Sequence, residues 1–383
     1  MSTEPMTDLL RRVLLSIGAV VCWSDAWAAL PDLDAFDRHF REVLAEHAIP
    51  GGAYAVVGGG RVLRVEGHGL RAVGGAQAVD ADTVFRLASV SKTFAGPLAV
   101  QLAQEGRLDL ADSLADQLPS LRFKRAELSQ RLRVEDLLGQ STGLVPNAYD
   151  NLIDDGVALA RILPRFRELD AICAPRSCYS YQNIAFAQVE PILARAGGAG
   201  YAELVEQRLF HPLGMQRASF GLEALVGEPN HARPHRRAQG RWIEADLKPG
   251  YYQLAPAAGV NASARDLAQW LLAQMGAQPE VLAATVIETV TKPRVRTPRE
   301  LKRRLWGQLL SEAHYGLGWR IYAIDKDALI YHSGWVKGYV AEIAWSPRHQ
   351  LGLAVLLNAE SPAIGRISTS FWAEVHGRAA PSP

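Results

Sequence analysis

Two serines in this 383-residue chain have neighbours that could make a hydroxyl nucleophilic. The first is Ser89, in Ser89-Val90-Ser91-Lys92. A serine attacks a carbonyl effectively only when an adjacent base takes its proton. If Ser89 opens a helix, residues i and i+3 share a face, and the Lys92 amine reaches the hydroxyl. Alone, the pair also fits a helix start with a snorkelling lysine. The second is Ser141, in Gly139-Gln140-Ser141-Thr142-Gly143, which matches the GxSxG elbow. That elbow needs a strand before the serine and a helix after it. Here Val134, Leu137 and Leu138 recur at helical spacing, and Val145-Pro146 follows. A helix end and a glycine turn account for the same letters. Ser89 is the stronger candidate.

The elements that must position these residues can be read from the pattern. Ala53 to Val57 and Arg61 to Val65, joined by Gly58-Gly59-Gly60, predict a β-hairpin. No helix pattern follows the glycines, so they are not a dinucleotide loop. Residues 90–250 read as mostly helical, with Pro97–Glu105, Val134–Leu138, Ile184–Ala194 and Ala202–Leu209 as examples. Strands return at Leu317–Ile324, Tyr339–Trp345 and Leu351–Leu357. Strands at both ends predict one sheet built from both termini with a helical insertion.

Composition narrows the classes. Hydrophobic residues make up 48% and charged residues 21%, an ordinary globular balance. A formal charge of +1 gives no field of the kind that recruits nucleic acid, and none is expected as a partner. Arg11 and Arg12 precede the apolar run Val13–Trp23, and Ala26-Trp27-Ala28 has the small-x-small form of a cleavage site. Residues 1–28 are therefore expected to be a cleavable signal peptide and the mature protein periplasmic. The run is shorter than the roughly 20 apolar residues of a membrane span, and no later run reaches that length. Cys173 and Cys178 are the cysteines left after cleavage; in an exported protein they are expected to form a disulfide that stiffens the loop before Tyr181. His231 and His235 are separated by Pro234, which breaks any helix that would align them, and HExxH is absent, so no metal site is assigned. The basic stretch from Lys292 to Arg304 reads as a solvated face.

Two further triplets change the weight of Ser89. Tyr181-Gln182-Asn183 lies mid-chain and His332-Ser333-Gly334 lies near the end. In this order, SxxK, Tyr-x-Asn and His-x-Gly resemble the serine β-lactamase and penicillin-binding family, particularly its class C β-lactamase and D-Ala-D-Ala carboxypeptidase branch. Flanking text is also similar, including Phe85-Arg86-Leu87-Ala88, His211-Pro212-Leu213-Gly214-Met215 and Tyr315-Gly316-Leu317-Gly318-Trp319.

The resemblance implies an α/β (α+β) fold of β-lactamase type, an antiparallel sheet flanked by helices. Residues 29–95 and 251–383 would form the sheet domain and 96–250 a mainly helical one, with the active site between them. Ser89 would be acylated, with Lys92 and Tyr181 forming the base. Asn183 would bond Lys92 and the substrate amide, and the backbone N–H groups of Ser89 and Trp335 would form the oxyanion hole. His332, Gly334 and Asn147 would bind substrate. With histidine where many relatives have lysine, a protonated His332 would hold a substrate carboxylate, and affinity would weaken as pH rises through its pKa. No glutamate motif of the class A type is present, so deacylation would depend on Tyr181 or Lys92. No cofactor is implied. The leading reading is an exported β-lactamase, whose partner is a small β-lactam. A D-Ala-D-Ala carboxypeptidase acting on peptidoglycan-type peptides, or an esterase, would use the same site. A slow-turnover penicillin-binding sensor or scaffold is the alternative from another class.

Overall fold

The computed structural model describes residues 31–382, so the signal peptide expected over residues 1–28 lies outside the described residues. In chain order the first strands are β1 (Gly51–Gly58), β2 (Arg61–Gly69) and β3 (Val84–Arg86). Next come β4 (Ser219–Phe220), β5 (His235–Ala238), β6 (Arg241–Glu244) and β7 (Val260–Ser263). The last group is β8 (Val295–Arg296), β9 (Glu312–Tyr315), β10 (Arg320–Ile324), β11 (Asp327–Val336), β12 (Tyr339–Ser346) and β13 (Leu351–Leu357). Eight of them form an antiparallel sheet in the order β2-β1-β13-β12-β11-β10-β9-β8. The N-terminal hairpin thus pairs with the last strand, Gly52 opposite Leu357, and closes the sheet from both ends of the chain as the pattern predicts.

The sheet is covered on both faces, which is why its central strands read as continuous apolar runs. Alternation appears only in which core each residue joins. Ala53, Ala55 and Val57 of β1 face the larger core, shared with the helical part of the chain. Tyr54 and Val56 face the smaller one, shared with α1 (Leu33–Glu46) and the helix Ile364–Val375. Asp32 caps α1 by accepting from the N–H groups of Asp34 and Ala35, and Phe36, Phe40, Val43 and Leu44 form its buried stripe.

The helical part departs from the pattern in two places. The expected helix Ile184–Ala194 is two, Asn183–Ala187 and Val189–Gly197. The region also carries the β5–β6 hairpin, whose Gln239-Gly240 turn has φ of 49° and 77° at its two central positions. That is the signature of a mirror-image turn matched to strand twist, written here with Gln in place of the usual Asn or Asp. A small sheet, β3-β7-β4, leads into the helix α2 (Lys92–Gln104), which is buried over nearly all its length.

Candidate active site

Ser89 lies on the 3-10 turn Ala88–Ser91, which runs directly into α2. In a 3-10 turn residues i and i+3 eclipse, so the spacing that pairs Ser89 with Lys92 is enforced by the backbone. Lys92 Nζ stands 3.2 Å from Ser89 Oγ. Ala88, just before Ser89, has φ +48°, a left-handed conformation that costs a non-glycine residue about 1–2 kcal/mol. The turn is therefore held by its surroundings.

Lys92 is wholly buried, and loss of hydration pushes its pKa well below the usual lysine value, with Arg320 adding to the shift and Asp150 opposing it. Its other contacts are the Asn183 side-chain carbonyl at 2.7 Å and the Ala257 carbonyl at 2.9 Å. A neutral amine has two N–H donors and one lone pair. In that form those two acceptors would take the donors and leave the lone pair for the Ser89 hydroxyl, whereas the ammonium donates to Ser89 Oγ. The Tyr181 hydroxyl donates to Ser89 Oγ at 2.8 Å. Burial pushes Tyr181 up to about 12, against the pull of Arg320, so the phenol keeps its proton near neutrality.

Asn183 presents its carbonyl to Lys92 because its amide nitrogen donates to Asp150 Oδ2 at 2.7 Å. Tyr181 is placed by a loop fastened along residues 140–147. Ser180 N donates to the Gln140 carbonyl, Asn147 N to the Tyr181 carbonyl and Ile172 N to the Gly143 carbonyl, each at 2.8 Å. Cys173 and Cys178 are joined by a disulfide in this loop.

The other wall is β11. Its pairing with β10 ends at Tyr331, while its pairing with β12 continues to Val336–Tyr339 across a two-residue turn. The closing pair of such a turn exchanges both hydrogen bonds, so alternation aims the Trp335 N–H away from β12, along the free edge. Gly334 brings that edge onto the nucleophile turn: a Cβ there would lie 2.1 Å from the Leu87 carbonyl oxygen and 2.9 Å from Ser89 N. The N–H groups of Ser89 and Trp335 accordingly belong to one small region. The Trp335 side chain is 51% exposed.

Other candidates fall elsewhere. His332 is fully buried, its Nε2 3.0 Å from the Tyr315 hydroxyl and its Nδ1 2.9 Å from the Ser333 carbonyl. Burial, reinforced by Arg320 and Lys92, pushes its pKa well below the ordinary imidazole range. Burial and this direction of shift speak against the expected protonated imidazole meeting a substrate carboxylate. Asn147 is exposed with φ 54°, and its backbone supports Tyr181. Ser141 is buried after the short helix Val134–Leu138, not after a strand, and its hydroxyl donates to the Asp136 carboxylate at 3.3 Å, with no histidine bonded to it among the described residues. His231 Nδ1 pairs with the Glu228 carbonyl and His235 Nδ1 with that of Asn358, so the two imidazoles serve separate loops.

Two residues at the site went unnoticed in the sequence. Asp150 orients Asn183, and Arg320 sits 5.5 Å from the centre of the Tyr181 ring while pairing with Glu300 at 3.4 Å. Neither lies in a motif. The only hint for Arg320 is its position directly after Gly318-Trp319.

Comparison with known proteins agrees with this geometry. The family model described as Beta-lactamase matches residues 36–375. The chain belongs to the Beta-lactamase family. In structure it is similar to the octameric penicillin-binding protein homologue from Pyrococcus abyssi, with a TM-score of 0.78 at 24% identity over 91% of this chain and 78% of that one. It is also similar to a class C β-lactamase from Rhodobacter sphaeroides, with a TM-score of 0.72 at 24% identity over 90% and 99% of the two chains. At that identity the likeness speaks for the fold. In sequence it is 24% identical to a relative named unguisins hydrolase, from Aspergillus campestris, over 86% of this chain. The chain spans 62% of that relative's length. The β-lactamase fold is thus the frame that carries Ser89, Lys92 and Tyr181.

Proposed function

We propose that the chain is an exported serine acyl-hydrolase that opens β-lactam rings through an acyl-enzyme on Ser89. The observation that carries this reading is the placement of Ser89 Oγ between a buried Lys92 amine at 3.2 Å and the Tyr181 hydroxyl at 2.8 Å. In the proposed sequence the Ser89 proton passes to Lys92 as Oγ bonds to the lactam carbonyl carbon. The oxyanion that forms sits between the N–H groups of Ser89 and Trp335. When the C–N bond breaks, the ring nitrogen takes a proton from Tyr181, which is replenished from Lys92. Water then attacks the ester, with the same amine as base, and Ser89 regains its proton. Export is supported by the sequence of residues 1–28 and by the Cys173–Cys178 disulfide, which suits an oxidising compartment.

The substrate class is supported by charge. Beside Trp335 and Tyr251 opens a cavity of about 660 Å³, lined by Arg86, Arg236, Arg237, Lys248 and Lys337 against two carboxylates. Penicillins and cephalosporins carry a carboxylate, and the cationic wall suits it. A second reading is amide hydrolysis of a peptide ending in a carboxylate, of the D-Ala-D-Ala type. The size of the cavity favours it. The test is steady-state hydrolysis of a chromogenic cephalosporin and of a D-Ala-D-Ala peptide by wild type, Ser89→Ala and Lys92→Ala. Cephalosporin turnover lost about 10²–10⁴-fold in Lys92→Ala and abolished in Ser89→Ala is expected. Turnover of the peptide alone selects the second reading; turnover unaffected by Ser89→Ala contradicts both.

A further inference from the structure

Far from Ser89, three residues from distant parts of the chain converge. Asp327 opens β11, His349 lies in the turn between β12 and β13, and His376 caps the end of the helix Ile364–Val375. One ligand atom from each lies within 4.8 Å of the other two. The Asp327 Oδ2 oxygen is 3.7 Å from His349 Nε2 and 3.9 Å from His376 Nδ1. The imidazole rings meet edge to face, with centroids 4.6 Å apart.

Hydrogen bonding does not account for this arrangement, since both contacts are longer than a hydrogen bond. The His376 and His349 side chains are only 3% and 11% exposed. His376 Nε2 and both His349 nitrogens are buried without a hydrogen-bond partner among the described residues. Buried imidazole nitrogens normally find partners, and leaving one unmade costs on the order of 1–3 kcal/mol. Asp327 is already oriented: its other oxygen, Oδ1, accepts from Arg348 at 2.8 Å, which turns Oδ2 toward the two rings.

We infer that Asp327, His349 and His376 form a binding site for one divalent transition-metal ion of the zinc type, which clamps the end of the last helix to the sheet. Two imidazoles and a carboxylate are a donor set that suits zinc, and zinc bonds of about 2.0–2.2 Å place tetrahedral ligand atoms roughly 3.3–3.5 Å apart. The observed 3.7 and 3.9 Å from Asp327 need contraction by a few tenths of an ångström, and the three ligand atoms all lie within 4.8 Å of one another, within reach of small ring rotations. Arg348 on Oδ1 is the outer-shell partner that such a ligand usually has. The site lies eight residues before Trp335 along β11, about 26 Å at ~3.3 Å per residue, so it is separate from the Ser89 chemistry.

The test uses the full chain without a polyhistidine tag, stripped by a chelator and then titrated with zinc alone in a calorimeter. One equivalent bound and a raised melting temperature are expected. His349→Ala and His376→Ala should each weaken binding by about tenfold or more, while His231→Ala leaves it unchanged. Cobalt(II) should give the wild-type chain visible absorption bands of tetrahedral intensity. No zinc uptake by the wild type, or equal uptake by all three variants, overturns the site. If an alanine variant does not fold, the wild-type cobalt spectrum decides, and its absence overturns the inference.

Discussion

At the scale of single residues, the proposed chemistry rests on two groups shifted in opposite directions. Burial lowers Lys92 and raises Tyr181 to about 12. Below its pKa, Lys92 is an ammonium with no lone pair, so kcat/KM should rise with pH through a Lys92 limb. Tyr181 stays protonated well past neutrality, so no alkaline limb should appear up to pH 10. A rate that climbs steadily toward pH 12 would instead make the phenolate the base. Because burial holds the His332 pKa below the ordinary imidazole range, KM should be flat between pH 6 and 8 apart from this limb. Asp150 is a positioning residue: in Asp150→Ala the Asn183 amide loses the bond that turns its carbonyl to Lys92. We expect kcat to fall roughly tenfold, within the range that misplacement costs, with the Lys92 limb displaced in the pH profile. An unchanged limb would show that Asp150 does not act through Lys92. Ser89, Lys92, Tyr181 and Asn183 were legible because each pair sits within a short motif whose local backbone brings it together. Asp150 and Arg320 were not, since their contacts are set by how separate elements pack and leave no mark in local spacing.

At the scale of elements, the site is the meeting of a turn, a loop and a strand edge. The strand edge is admitted by Gly334, which has no side chain to strike Leu87 and Ser89. Gly334→Ala should therefore push β11 off the nucleophile turn and move the Trp335 N–H away from the developing oxyanion. A loss of about 10²–10³ in kcat is expected, the range seen when one oxyanion donor is removed, together with a lowered melting temperature from the overlap with backbone. Wild-type kcat in this variant would contradict the close approach. Most elements could be read from pattern: Val134–Leu138 and Leu351–Leu357 coincide with their expected limits. The hairpin His235–Glu244 was missed because Arg-rich strands alternate weakly and its turn lacks Asn-Gly. The His349–His376 cluster escaped for a related reason: its members share no motif and are joined only by the closure of the sheet.

At the scale of the whole molecule, a near-neutral chain concentrates positive charge at one cavity. Attraction of an anionic β-lactam should weaken as the screening length falls from roughly 30 Å at 0.01 M salt to roughly 8 Å at 0.15 M. Measured across that range, kcat/KM should fall for a penicillin and stay level for an uncharged ester. Equal salt dependence for both would remove the cationic wall from substrate capture. The central claim, covalent catalysis on Ser89, is tested most directly by intact mass against time after mixing the purified chain with a penicillin. The expected result is a transient adduct of the drug's mass, absent in Ser89→Ala, while hydrolysed penicillin accumulates. Hydrolysis at the wild-type rate by Ser89→Ala, or an adduct that forms without Ser89, would contradict it.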